Sequence, residues 1–162
     1  MQGNKQVIDL LNAALRKELT AVNQYMLHSR MLNDWGVTRL GEKEYGEAKE
    51  EMEHADWLIE RILFLEGEPA MEGTDQLNIG HTVEEILRSD LNMELEAHPM
   101  YRDAVTKAGK LEDYGSRDLF LKILKSEEEH IDFLETQLAM IERMGIENYI
   151  MLQSKPVDQM AA

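Results

Sequence analysis

The chain has 162 residues and no Cys, with 17 Lys and Arg against 32 Asp and Glu, a formal net charge of −15. That balance excludes a role resting on a basic, phosphate-binding surface, and the missing Cys excludes disulfides, thiolate metal sites and Cys nucleophiles. Only three Pro and ten Gly interrupt it, no apolar run approaches the ~20 residues that span a bilayer, and Met1–Lys5 lacks the basic and apolar regions of a signal peptide. The expectation is one all-helical cytoplasmic domain covering 1–162, with no nucleic-acid or membrane partner.

Helix one is expected over 5–34, with Asn4 as its cap and Gly36 as its stop. Its stripe at three- and four-residue spacing runs Ile8, Leu11, Leu15, Glu18, Val22, Tyr25, Ser29, Leu32. Helix two is expected over 38–66, ended by Gly67 with Pro69 beyond. One of its stripes carries Glu47, Glu51, His54, Leu58, Ile62 and Leu65. A second, rotated ~100° from the first, carries Tyr45, Ala48, Met52, Ala55 and Ile59. Residues 67–81 form the one long connection. Thr82-x-x-Glu85 reads as a capping box opening helix three, over 82–109. That helix carries Leu87, Leu91, Glu94, His98, Tyr101 and Val105 on one face, and Pro99 should bend it. Helix four, over 113–144, carries Ile123, Glu127, His130, Leu134, Leu138 and Ile141 and stops at Gly145; a short fifth helix over 146–153 precedes a polar tail.

The chain repeats itself. Glu51-x-x-His54 recurs 76 residues later as Glu127-x-x-His130, and the same offset carries Glu18 onto Glu94 and Tyr25 onto Tyr101. A single Glu-x-x-His means little in so acidic a chain. The informative feature is the shared register, with each polar member in the middle of an apolar stripe. Short links make helices one and two, and three and four, antiparallel pairs. The 67–81 connection can cross the bundle and set helices two and three parallel. The result is a four-helix bundle with one long crossover between helices two and three, in which the duplicated carboxylates converge.

Buried carboxylates demand a compensating cation. Four of them balance two divalent ions, and two imidazoles add neutral ligands. An oxygen and nitrogen set without sulfur suits Fe, Mn or Zn, and a Glu from each of two helices with a Glu-x-x-His from each of the other two is the ligand pattern of ferritin-like di-iron and di-manganese bundles. Such a site suits two-electron chemistry with oxygen or hydrogen peroxide. Tyr25 and Tyr101 either hydrogen-bond to the ligands or are core aromatics satisfied elsewhere. Met52 by spacing alone reads as packing in a plain dimer interface. Glu47 has Ile123 as its duplicate and so no symmetric role, though it can serve as an outer or relay carboxylate; His28 and His81 read as structural or exposed, and His98 sits in a core register.

The chain resembles the bacterioferritins over nearly its whole length. The likeness rests on ELTAVNQY at 18–25, EEMEHAD at 50–56, ERILFLEG at 60–67, LNIG at 77–80, LRSDL at 87–91 and EEEHID at 127–132. It implies terminal iron ligands at Glu18 and Glu94, bridging ligands at Glu51 and Glu127, and one iron each on His54 and His130. It further implies oxidation of Fe(II), storage of ferric mineral in a 24-subunit shell, and Met52 from two subunits clamping one haem b, with a ferredoxin-type reductant for iron release. Some members carry His at position 46 and Asp at 50 for an inner-surface iron; here they are Gly46 and Glu50, and no inner site is assigned. Two alternatives share the bundle: a non-storing di-iron oxygenase or peroxidase, and a haem-binding electron carrier.

Overall fold

A computed structural model describes residues 1–159. It contains α1 (Lys5–Asp34), α2 (Thr38–Phe64), α3 (Val83–Lys110), α4 (Tyr114–Met144) and α5 (Ile146–Leu152), followed by a 3-10 turn at Val157–Gln159. The four long helices form the expected ferritin-like bundle, with the short fifth helix after them.

Local chemistry sets the helix ends. The Asn4 side chain accepts from the Gln6 N–H, and Thr82 accepts from the Glu85 N–H. The Glu85 carboxylate accepts in turn from the His81 N–H at 2.8 Å, so the capping box reaches one residue beyond the cap. Asp113 caps α4 through the Ser116 N–H at 2.9 Å and also accepts from Arg61 of α2 at 2.8 Å. Helix two stops at Phe64, short of the expected 66, because Glu66 takes a left-handed φ of 61°. Gly67 is needed there for a different reason: a Cβ would lie 2.8 Å from the Ile8 side chain. Pro99 sits inside α3 without ending it.

The crossover loop is held by a polar row on α1 at four-residue spacing. Asn12 bonds the Glu68 carbonyl and the Ala70 N–H; Arg16 donates to the Thr74 carbonyl at 2.7 Å and to Asp75 at 2.8 Å. Thr20 accepts from the Asp75 N–H, Gln24 from the Asn78 N–H and His28 from the Gly80 N–H. Gly80 fits because a Cβ would meet the backbone of Ile86 at 2.4 Å. The loop therefore climbs parallel to α1, which delivers α3 parallel to α2.

Two apolar clusters fill the ends of the bundle. One includes Leu11, Leu15, Leu58, Ile62, Phe120 and Ile123. The other includes Leu32, Leu40, Ile86, Leu134, Ile141 and Tyr149. Between them lies a buried layer of carboxylates and imidazoles. Among the described residues, no helix is long and apolar enough to cross a membrane.

Candidate metal centre

Each long helix contributes one face to this layer. Glu18 comes from α1, Glu51 and His54 from α2, Glu94 from α3, and Glu127 and His130 from α4. All six are at least 97 % buried. Ligand atoms of Glu18, Glu51, His54 and Glu127 lie within 4.8 Å of one another, as do those of Glu51, Glu94, Glu127 and His130. Glu51 and Glu127 belong to both sets, whereas Glu18 and Glu94 each belong to one. His54 Nδ1 is 3.6 Å from Glu51 Oε2 and 3.7 Å from both Glu18 and Glu127. His130 Nδ1 is 2.9 Å from Glu51 Oε1 and 3.5 Å from Glu94 Oε1. One Glu51 carboxylate thus faces both imidazoles, one with each oxygen.

The charges are badly placed for a protein-only core. Burial, then the charge of Glu51, pushes the Glu18 carboxyl well above its ordinary value. Burial and the charges of Glu51, Glu94 and Glu18 do the same to Glu127. Burial also raises Glu51. Burial works against ionised Glu94 too, but the nearby Glu127 and His130 and the hydrogen bond from Tyr25 win and hold it low. Burial would lower the His130 pKa; the carboxylates of Glu47, Glu51 and Glu94 overcome this and raise it strongly. Both oxygens of Glu51, Glu127 Oε1, and Nδ1 of His54 and of His130 have no hydrogen-bond partner. Unpaired buried ligand atoms gathered in two overlapping groups are what a pair of cation sites requires. The mixed oxygen–nitrogen set fits two divalent first-row metals.

The two tyrosines are crossed. Tyr25 of α1 donates to Glu94 Oε1 of α3 at 2.6 Å, and Tyr101 of α3 donates to Glu18 of α1. Each phenol therefore serves the carboxylate of the opposite hairpin, not the one seven residues back on its own helix. Burial, together with Glu94 for Tyr25 and Glu18 for Tyr101, raises both phenol pKa values well above normal, so both remain donors.

Around this core lie residues that spacing treats less clearly. Glu47 is 96 % buried, with Oε2 2.5 Å from His130 Nε2, and exposed Glu50 is 2.7 Å from the same nitrogen. Trp57 packs on the His54 ring at 5.2 Å and also carries the Lys122 ammonium over its ring, a neighbour that no periodicity revealed. A cleft of about 110 Å³ runs from the crossover loop near Lys17, Gln24 and Asn78 inward to Glu18, Glu51, Glu94 and Glu127. His98 is half-buried, 3.5 Å from Glu128. His28 is fully buried, against Asp90 at 2.8 Å.

Met52 points elsewhere and is 51 % exposed. Its expected neighbours Ala48 and Ala55 are buried, Ala48 beside Ala21 and Tyr25 and Ala55 in the main core, because α1 covers them. The exposed Met26 and half-buried Tyr45 and Ile59 remain on or near the surface.

Residues 8–144 match the family model of the ferritin-like domain. The chain is 50 % identical to the bacterioferritin of Brucella melitensis over 98 % of this chain and 99 % of that one. It is 43 % identical to the bacterioferritin of Rhodobacter capsulatus over 98 % of both chains. It is also 44 % identical to the bacterial ferritin of Synechocystis over 94 % of this chain and 99 % of that one.

Proposed function

This chain belongs to the bacterioferritins, and from that membership we propose that it stores iron and oxidises Fe(II) at the centre formed by Glu18, Glu51, His54, Glu94, Glu127 and His130. The observation that carries the proposal is the convergence of four buried carboxylates and two imidazoles with unpaired donor atoms. Two Fe(II) substrate ions neutralise the four carboxylates. Glu51 and Glu127 bridge them, with Glu18 and His54 on one ion and Glu94 and His130 on the other. The cleft beside the crossover loop gives Fe(II) a path inward, and its acidic end attracts cations. Tyr25 and Tyr101 each hold one oxygen of Glu94 and Glu18 and fix the orientation of these carboxylates. Oxygen or hydrogen peroxide accepts the electrons.

Met52, with its thioether on an exposed face, would hold a haem b together with the Met52 of a second chain. The group supplies one-electron redox chemistry when bound; Met52 supplies a soft donor on a face separate from the ferroxidase residues, and a closed shell of 24 chains built on such dimers accommodates the mineral. A ferredoxin-type reductant would supply the electrons for iron release. An anaerobic Fe(II) titration followed by exposure to oxygen tests the centre. The expected result is a fast oxidation phase that saturates near two Fe(II) per chain. Oxidation no faster than in protein-free buffer would overturn the assignment.

A further inference from the structure

A second buried polar cluster lies toward the α5 end of the bundle. It consists of His28 of α1, Glu44 of α2 and Asp90 of α3, all at least 99 % buried. Asp90 sits one turn from Glu94, and Glu44 two turns from Glu51, roughly 6–10 Å along the helices. One ligand atom from each of the three lies within 4.8 Å of the others.

The internal repeat carries no such groups at the corresponding positions of the other hairpin. The offset of 76 residues pairs His28 with Ala104, Glu44 with Phe120 and Asp90 with Ala14. Those three counterparts are buried in an apolar cluster. One end of the pseudo-symmetric bundle is thus closed by hydrophobic packing, while the corresponding place at the other end holds two acids and an imidazole. Burying them is costly without a partner.

The hydrogen bonds fix which atoms are free. The Gly80 N–H donates to His28 Nε2 at 3.0 Å, so Nδ1 carries the imidazole hydrogen and donates it to Asp90 Oδ1 at 2.8 Å. Gln24 Nε2 donates to that same oxygen at 2.9 Å. Asp90 Oδ2 and Glu44 Oε2 are left buried with no hydrogen-bond partner. No lysine or arginine ion pair reaches either acid among the described residues. The same unpaired-atom pattern marks the six-residue centre. Burial, then Asp90 and the charge of Glu47, pushes the Glu44 carboxyl well above its ordinary value. Gln24 and Asn78, which line the cleft to the main centre, stand between that cleft and this cluster.

We propose that Glu44 and Asp90 form a third metal site, holding a single divalent cation between Glu44 Oε2 and Asp90 Oδ2. His28 and Gln24 orient Asp90 from behind rather than ligate. The two carboxylates balance the charge of the ion. The oxygen pair suits a hard first-row cation such as Mn(II) or Fe(II), and Zn(II) serves as a probe.

The test is Zn(II) soaked into crystals of the full chain, with anomalous scattering locating each ion. Wild type should show a peak between Glu44 and Asp90 in addition to those at the six-residue centre, and metal analysis of the loaded shell should give three ions per chain. Glu44→Gln should lose the third ion alone, leaving two. Asp90→Asn provides the same reading if Glu44→Gln fails to assemble. Wild-type crystals without a peak between the two acids would overturn the proposal and leave the pair compensated by a proton. A peak that persists in Glu44→Gln would overturn the ligand assignment. Neither result bears on Fe(II) oxidation at the main centre.

Discussion

Glu94 and Glu127 are both buried ligand candidates, yet their neighbours give them different mutational signatures. Glu127 has an unpaired oxygen and a carboxyl raised by burial and by its acidic neighbours. Glu127→Gln keeps the shape and removes the charge, so the metal-free protein should be no less stable. Its fast Fe(II) oxidation should fall about 100-fold, the scale on which even weaker perturbations of metal ligands begin to act. Glu94→Ala should slow oxidation equally but also cost about 1–2 kcal/mol in the metal-free state, because the Tyr25 hydroxyl loses its acceptor. Stopped-flow oxidation at low iron loading and thermal unfolding of the apoprotein measure both; undiminished oxidation in either variant would show the centre is misassigned. At Met52, replacement by Leu conserves volume and apolarity. Met52→Leu should assemble and still oxidise Fe(II) while losing haem, read from the Soret band. Unchanged stoichiometric haem would remove Met52 as ligand.

The six-residue set was legible because a helical period forces residues three and four apart onto one face, and the repeat at 76 residues marked which of many acids belonged together. His28, Glu44 and Asp90 were not, since their duplicates are Ala104, Phe120 and Ala14 and the repeat erased them. The tyrosine crossing escaped too. Spacing along one helix placed Tyr25 near Glu18, whereas only the packing of α1 against α3 gives it Glu94.

Among the elements, α1 and the crossover loop depend on one another. The row Asn12, Arg16, Thr20, Gln24, His28 is regular in sequence, but a polar stripe on a helix ordinarily faces water, and nothing in its spacing says that a loop will lie on it. The long helices were legible from their apolar stripes and caps. Their ends moved by one or two residues where Glu66 adopts a left-handed turn. The link between the two hairpins rests partly on Asp113, which caps α4 and binds Arg61 of α2. Burial opposes its charge, but the Ser116 N–H and hydroxyl and the Arg61 guanidinium prevail and hold its pKa below the ordinary value. Its contribution is therefore full above about pH 4, the unfolded carboxyl value, and is lost as acid protonates the folded form. Asp113→Ala should cost about 2 kcal/mol at neutral pH from the lost cap and charged bond. The difference in melting temperature from wild type should shrink below about pH 4; a constant difference across that range would mean that the charge contributes nothing.

At the scale of the whole molecule, exposed apolar residues on the bundle, among them Met26, Met52, Leu63 and Phe64, call for partner surfaces. Copies of the same chain closing into a shell meet that need. On the proposed function, Fe(II) oxidised at the six-residue centre would be retained by such a shell. Sedimentation of the native protein after aerobic loading with excess Fe(II) tests it most directly. Iron-free protein should sediment at about 450 kDa, the mass of 24 chains of 18.7 kDa. After loading, ferric iron should travel with that particle and increase its mass in proportion to the iron added. Monomers or dimers carrying only a few ions, with the remaining ferric iron precipitated outside the protein, would contradict the account.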